Sequence, residues 1–345
     1  MGHTDDILCT VRKSIDAHPE ALSEARRRTW LVRTAGFAVT PGALRHYGSG
    51  SLAQHTQNHP INDGDAGLIL NRVHYPRIGP DGHGEAPTDV VNDICKALGR
   101  KIRETYPNAR CGTSKRGPKL SFGSPIDNQD PTVDLVIALT RKDDLALWIP
   151  NLKQGTWEAS DPERHCALLN TDPATLRSTR RKVIRHLKAW NKQFGEPVFS
   201  SFHLSVLALE FVVPGRNAAG ALLDVFEAIA KRMDARSATK DPAGVSANIR
   251  LLGSWDQAER RARLAAGYLR SALDHDGDSD EGGSRDALAR LYWQHLEQAD
   301  GLAATIGRLR TGHPVPTSVL GLGGGVGLVS ATRAYGAIDP ERPGR

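Results

Sequence analysis

Three aspartates and a glycine–serine pair carry the chemistry this chain is equipped to do. The stretch from Gly50 to Leu70 reads GSLAQHTQNHPINDGDAGLIL. Asp63 and Asp65 sit two apart, and in an extended strand residues two apart point to the same face. Both carboxylates therefore share one side, while Ala66 to Leu70 continue into a core. Two carboxylates on one face repel unless a cation sits between them. Hard oxygens at that spacing suit Mg²⁺, which is commonly bound through one or two carboxylates and substrate phosphates. Gly50 and Ser51, just upstream, supply backbone N–H groups and a hydroxyl for a phosphate. Together these residues describe a metal-assisted phosphoryl-transfer site.

Taken alone, Asn62-Asp63-Gly64 reads as a β-turn, and a lone Asp-x-Asp is common in turns. The pair gains meaning from a further acid downstream. Thr132 to Leu139 (TVDLVIAL) is a β-branched apolar strand interrupted by one acid, Asp134. An Asp inside such a strand is costly to bury unless it is paired or holds a cation.

The order Gly50-Ser51, Thr56, Asp63-x-Asp65 resembles the nucleotidyltransferases of the DNA polymerase β-like superfamily. It is most similar to the branch holding oligoadenylate synthetase, cyclic GMP-AMP synthase and the bacterial CD-NTases that make cyclic oligonucleotides. Gly48-Ser49 is a second such pair, but the spacing to Thr56 and Asp63 favours Gly50-Ser51. The resemblance implies a third carboxylate on a neighbouring strand, and Asp134 fits it. It implies an α+β fold: a twisted mixed sheet with helices, the polymerase β-like core, plus a C-terminal helical domain of oligoadenylate synthetase type. It also implies that Asp63, Asp65 and Asp134 hold two Mg²⁺ ions (Mn²⁺ substituting) with NTP substrates.

Further along, the chain matches the same branch at two places. In KAWN (Lys188 to Asn191), Lys188 aligns with a lysine that contacts the donor triphosphate. Ser201-Phe202-His203 resembles a Ser-Tyr-His whose serine contacts the same triphosphate. Ser201 is the natural counterpart and Ser200 is one residue off. Phe202 replaces the tyrosine, so any role of that hydroxyl is lost. By itself, Lys188 reads as a surface lysine on a basic helix.

These residues need elements to hold them. Apolar Ile7, Leu8, Val11 and Ile15 predict a helix over 5–35, broken at Thr40-Pro41-Gly42, and Arg26-Arg27-Arg28 reads as a solvated face. Residues 88–106 predict an amphipathic helix capped by Thr88 or Asp89. Residues 109–125 read as a strand with a basic loop, where Lys115, Arg116 and Lys119 approach phosphates or simply face water. Residues 145–165 read as a short apolar strand, then a Trp and an Asp-Pro turn. Residues 174–194 predict a long basic helix, with Asp172 as cap and Pro173 at its first position. Helices are expected in turn at 219–234, 254–273 and 285–309. DHDGDSDEGGSR (274–285) evokes a calcium loop, but Arg285 stands where a bidentate Glu is needed, so it reads as a mobile linker. The organisation expected is 1–150 catalytic core with its N-terminal helix, 151–310 helical substrate-binding domain, and 311–345 a flexible Gly-rich tail.

Composition bounds the rest. The chain has 345 residues, 39% hydrophobic, enough for two domains or one two-lobed one. No apolar run approaches a membrane span and no leader-like segment opens the chain, so no membrane partner and a cytoplasmic setting are expected. The cysteines Cys9, Cys95, Cys111 and Cys166 lie far apart, which argues against a zinc site and a disulfide framework. A net charge of +6 favours polyanionic partners, though 45 basic residues nearly balance 39 acidic ones, so nucleic acid is left open. A monomer is expected. In some relatives a flexible C-terminus is conjugated to partner proteins, which would place such a partner on the tail; the ending Pro-Gly-Arg carries no firm signal for it. The function the resemblance implies is synthesis of a cyclic di- or oligonucleotide second messenger for anti-phage defence. The alternatives are nucleotide transfer to RNA, a small molecule or a protein, and a non-catalytic nucleotide sensor.

Overall fold

A computed structural model describes residues 2–80, 82, 86–142 and 146–296. Two hydrophobic cores organise them. The first lies on a seven-stranded mixed sheet: β1 (Ala43–Ser49), β2 (Asp63–Leu70), β3 (Arg110–Thr113), β4 (Pro118–Ser121), β5 (Thr132–Thr140), β6 (Leu147–Asn151) and β7 (Thr156–Ser160). The order is β1-β2-β5-β4-β3, with β6 on β5 and β7 on β6. β5 runs parallel to β2 and antiparallel to its other neighbours. Its β-branched, near-continuous apolar run suits a central strand covered on both faces. The sheet is covered by α2 (Pro19–Val39) and α4 (Pro87–Arg103), whose Val91, Ile94, Leu98 and Ile102 join β-strand residues Leu68, Leu120, Leu135 and Ile137 in one cluster. The short α3 (Gly50–Gln54) and α5 (Pro162–Asn170) lie at the sheet's edge.

The second core is helical. It gathers α1 (His3–Ser14), α6 (Ala174–Lys192), α7 (Ser201–Phe211), α8 (Ala218–Asp234), α9 (Trp255–Gly277) and α10 (Glu281–Leu291). Trp190 of α6 is its centre, edge-on to Phe194 and Phe226 at 5.8 and 4.9 Å between ring centroids. Among the described residues no helix is long and apolar enough to cross a membrane.

Several expectations need correction. The helix expected over 5–35 is two helices, α1 and α2, each serving a different core. Arg28 is not on a solvated face: it is fully buried. The expected cap Asp172 is instead clamped by Arg180 Nη1 at 2.8 and 2.7 Å, leaving Pro173 as N-cap of α6 with no side-chain bond. Neither Thr88 nor Asp89 caps α4; Pro87 takes its first position. The stretch 274–285 is no mobile linker. Asp276 accepts from the backbone N–H groups of His3 (2.8 Å) and Thr4 (3.2 Å), satisfying the start of α1, and Asp280 caps α10. Acids of the expected linker are anion partners of free helix ends. Cys95 of α4 and Cys111 of β3 form a disulfide across the helix–sheet contact, with Cα atoms 5.9 Å apart. Their spacing in sequence gave no hint, because it is the crossing of α4 over β3 that brings them together. α10 ends at Leu291, short of the helix expected over 285–309. The tail 311–345 lies outside the described residues.

Two buried histidines of the helical core give a pH signature. Burial, reinforced by Arg185, pushes His186 down to about 3; burial, reinforced by Arg232, pushes His203 down to about 4. The unfolded chain protonates both near their ordinary value, whereas the folded chain resists. Their contribution to stability is therefore full above about pH 6.5 and is lost as pH falls toward those folded values. The measurement is chemical denaturation of wild type and His186→Gln at pH 7 to 4.5. The difference between the two curves isolates the histidine, and wild type is expected to lose about 1.4 kcal/mol per pH unit more than the variant in that window. Parallel curves would refute the assignment.

Candidate active site

The parallel pairing of β2 and β5 sets Asp65 beside Asp134, and Asp63 beside Thr132. Neighbouring strands lie about 4.8 Å apart, so Asp65 and Asp134 are directly flanking. Asp63 shares the face of Asp65 on β2, with Gly64 between them turned the other way toward Thr29 and Leu52. All three sequence-predicted acids are thus brought to one end of two adjacent central strands.

The glycine–serine pair closes on them from β1. Ser49 is opposite Asp65 in the β1–β2 register and then becomes the N-cap of α3. Gly50 turns the chain with φ +64°, and a Cβ there would run into the Asp65 carboxylate. Both constraints ask for glycine. Of the glycines in the two glycine–serine pairs, Gly50 is the one that faces the Asp65 carboxylate, whereas Gly48 faces Arg33 and Ala53. Gly50→Ala is expected to cost roughly 1–2 kcal/mol of stability from backbone strain alone and to displace Asp65. A thermal melt beside an activity assay checks it, and a variant with wild-type melting and activity would contradict the contact.

Electrostatics single out the same group. Burial first, then Asp63 and Asp134, push Asp65 up to about 7, against the pull of Lys119 and Lys188. Burial and Asp134 raise Asp63 as well, with Lys119 and Lys188 opposing. Lys188, on α6, donates to Thr56 Oγ1 at 3.1 Å and to the Thr56 carbonyl at 3.3 Å. Burial lowers it to about 8, with Asp63 and Asp65 resisting. The lysine that looked like surface charge is thus turned into the site, and Thr56 is its seat.

Ser201 stands at the first position of α7 and is exposed. Ser200, the other candidate, has its hydroxyl engaged as N-cap, accepting from the His203 N–H at 3.1 Å. Arg116 turns away to the Pro150 carbonyl at 3.0 Å and to Glu158.

Two features were missed in the sequence. The first is the role of Lys119. Its strand β4 pairs Lys119 with Asp134, and its Nζ lies 2.7 Å from Asp134 Oδ2. It is a counter-cation of the acids; a lysine at an alternating position of a short strand was the one available signal. The second is α5. His165 Nε2 meets Asp241 Oδ1 at 2.5 Å, and Asp241 also accepts from Ser246 and the N–H groups of Ala243 and Val245. The His165 carbonyl and Asn170 side chain bond Gln54 and Ala53 of α3, and the His165 ring lies 4.9 Å from Phe202. α5 therefore wedges between the glycine–serine helix and the start of α7. Its partners are 76 residues apart, beyond any local pattern.

Among the described residues, no three or more His, Cys, Asp or Glu side chains lie close enough as they stand to hold a metal ion. The donor chemistry still fits a hard dication. Asp134 Oδ1 is buried without a hydrogen-bond partner, and Asp65 bears a burden of burial and then of like charge from Asp63 and Asp134. Two lysines from separate elements, Lys119 and Lys188, oppose that burden.

No protein-family model and no curated protein sequence matches the chain. Solved structures do. CdnC of E. coli MS115-1, determined with ATP, aligns with a TM-score of 0.61 at 15% identity, covering 86% of this chain and 99% of that one. The CD-NTase CdnG of Bradyrhizobium diazoefficiens, in complex with GTP, gives 0.61 at 14% identity, covering 84% and 97%. DncV of Vibrio cholerae, a cyclic AMP-GMP synthase with the linear intermediate pppA(3′,5′)pG, gives 0.53 at 13% identity, covering 86% and 85%. The chain has the fold of the CD-NTases, a mixed sheet with helices and a C-terminal helical region.

Proposed function

We propose that this chain is a nucleotidyltransferase that joins NTPs into a cyclic di- or oligonucleotide, a second messenger of anti-phage defence. The observation that carries the reading is the set of three carboxylates on paired strands, closed by the Gly50 turn on one side and Lys188 on the other. DncV, whose fold this chain shares, was captured with a linear intermediate on the way to a cyclic product.

In this reading Asp63, Asp65 and Asp134 hold divalent cations, Mg²⁺ or Mn²⁺, with the donor triphosphate. Bound there, such ions stabilise both the attacking and the departing oxygen. Ser51, Lys188 and Ser201 bind the donor phosphates and set the α-phosphorus in line with the acceptor. Asp134 faces the acceptor 2′- or 3′-hydroxyl and takes its proton. The hydroxyl oxygen bonds the α-phosphorus as the bond to pyrophosphate breaks. A second round on the reoriented linear product closes the ring. Gly50 keeps the chain close to Asp65 without a side chain in the way, and α5 keeps α3 and the start of α7 in mutual register.

The test is incubation with all four NTPs and Mg²⁺ or Mn²⁺, phosphatase treatment and mass spectrometry, beside the Asp63→Asn/Asp65→Asn variant. A phosphatase-resistant cyclic species absent from the variant is the expected result. Linear extension of an RNA such as tRNA, with no cyclic product from any mixture, would overturn the cyclic reading in favour of transfer to RNA.

A further inference from the structure

Away from the carboxylates, the start of α6 gathers positive charge that the chain neutralises only in part. Arg177, Arg181 and Arg185 are four apart and form one ridge of the helix. With Lys182, Arg12 of α1 and His55 at the end of α3, they line a concavity of about 260 Å³. Arg26 of α2 reaches its edge, 3.4 Å from His55 Nδ1. Asp16 is the carboxylate that meets this group, 2.7 Å from Arg185 and 3.8 Å from Arg12. Among the described residues, Arg26, Arg177, Arg181 and Lys182 have no ion-pair partner. Asp172, the nearest other acid in sequence, is held by Arg180.

Three further observations converge here. Arg181 Nε is buried and without a hydrogen-bond partner, while its Nη2 is anchored by Asn170 Oδ1 at 2.9 Å. The first turn of α6 has neither a side-chain cap nor an acid, so its free N–H groups and the positive end of the helix open beside Ala174 and Ser178. Burial, then Arg181, Arg26 and Arg177, hold the His55 imidazole below its ordinary value, which fits a locally cationic field. Like charges kept together and partly dried are a cost to the fold, and an anion removes it.

We propose that this concavity is a binding site for a small oligophosphate, a ligand carrying two or three linked phosphate groups. Guanidinium forks pair with phosphate oxygens two at a time, and an uncapped helix start adds backbone donors. The cations converge from three helices and the end of α3 into a hollow, rather than spreading as a flat stripe, which favours a compact polyanion over a duplex. The site is separate from the carboxylates. Lys188 lies seven residues beyond Arg181, about 10 Å along the helix axis. Between them the chain after α3 crosses α6, with Asn58 bonded by Arg185 and Thr56 by Lys188.

The experiment titrates inorganic tripolyphosphate into the protein by calorimetry, without divalent ions. The background is Lys188→Ala, so that binding at the carboxylate site is weakened. One equivalent is expected to bind, and adding Arg177→Gln/Arg181→Gln is expected to weaken it roughly 30-fold or more. The ligand-free double variant is expected to melt cooperatively near its parent, since relieved repulsion offsets the lost bonds from Arg177 to the Asn170 and Asp172 carbonyls and from Arg181 to Asn170 Oδ1, which rules out misfolding as the cause of lost binding. Lys96→Gln/Arg100→Gln on α4 is the charge-matched control. Equal weakening by the control, or no effect of the α6 pair, would overturn the proposal. So would a short DNA duplex that binds through Arg177 and Arg181 and is not displaced by tripolyphosphate, since the surface would then be a nucleic-acid face.

Discussion

Arg28→Met is expected to destabilise the chain by about 3–5 kcal/mol, the usual cost of removing one partner from a buried ion pair. The Arg28 side chain is fully buried. Its guanidinium donates to Glu24 at 2.8 Å, Asp130 at 2.6 Å, the Pro131 carbonyl at 3.0 Å and the Ser124 carbonyl. It also lies over the Phe122 ring, 4.5 Å from the centroid. Burial pushes Glu24 up, but bonds from Arg27, Tyr106 and Arg28 outweigh it and hold Glu24 at about 2. Methionine fills much of the space yet leaves Glu24 and Asp130 without their shared partner. Asp130 and Pro131 lead directly into β5, so the same loss loosens the strand that carries Asp134. The measurement is denaturant unfolding of Arg28→Met and of Arg28→Met/Glu24→Gln/Asp130→Asn. The triple variant is expected to recover part of the loss, since it leaves no orphaned charge. An unchanged midpoint in the single variant would show that the network contributes little.

Asp65→Asn is expected to abolish product formation, by at least about a thousandfold, while raising the melting temperature of the metal-free protein. The first effect comes from losing a carboxylate that would hold the catalytic cations. The second comes from the same charge seen without them. Burial, Asp63 and Asp134 disfavour ionised Asp65 and push it up to about 7. Above that pH the charge is a net cost to the fold, relieved as pH falls toward the ordinary carboxylate range, a trend opposite in sign to that of the buried histidines. Asparagine removes the cost at every pH. Wild type is expected to gain melting temperature on adding Mn²⁺, and the variant to gain little. A variant that is both inactive and less stable would mean that Asp65 is a structural partner in the sheet rather than a site held at a cost.

The candidate acids were legible because chemistry at fixed spacing is local. Asp63-x-Asp65 needs only the alternation of a strand, and Asp134 stands out as the one acid in an apolar run. Helices such as α4, α6 and α8 were visible from their apolar spacing for the same reason. What stayed hidden depends on who meets whom. Arg26, Arg27 and Arg28 are alike as letters, yet Arg28 is buried because α2 crosses the start of β5. Asp276 read as part of a mobile linker, yet it holds the start of α1.

By itself, then, the sequence determined the alternation that puts Asp63 and Asp65 on one face, the acid within the apolar run of β5 and helices such as α4, α6 and α8, since each rests on interactions within a few residues. The tertiary structure decided the charge state of those acids, because burial and the lysines at 119 and 188 arrive from other elements. It also decided that the ridge of α6 stands against Arg12 and His55 as a hollow. Burial and electrostatic coupling are sums over neighbours distant in the chain, and no local pattern carries them.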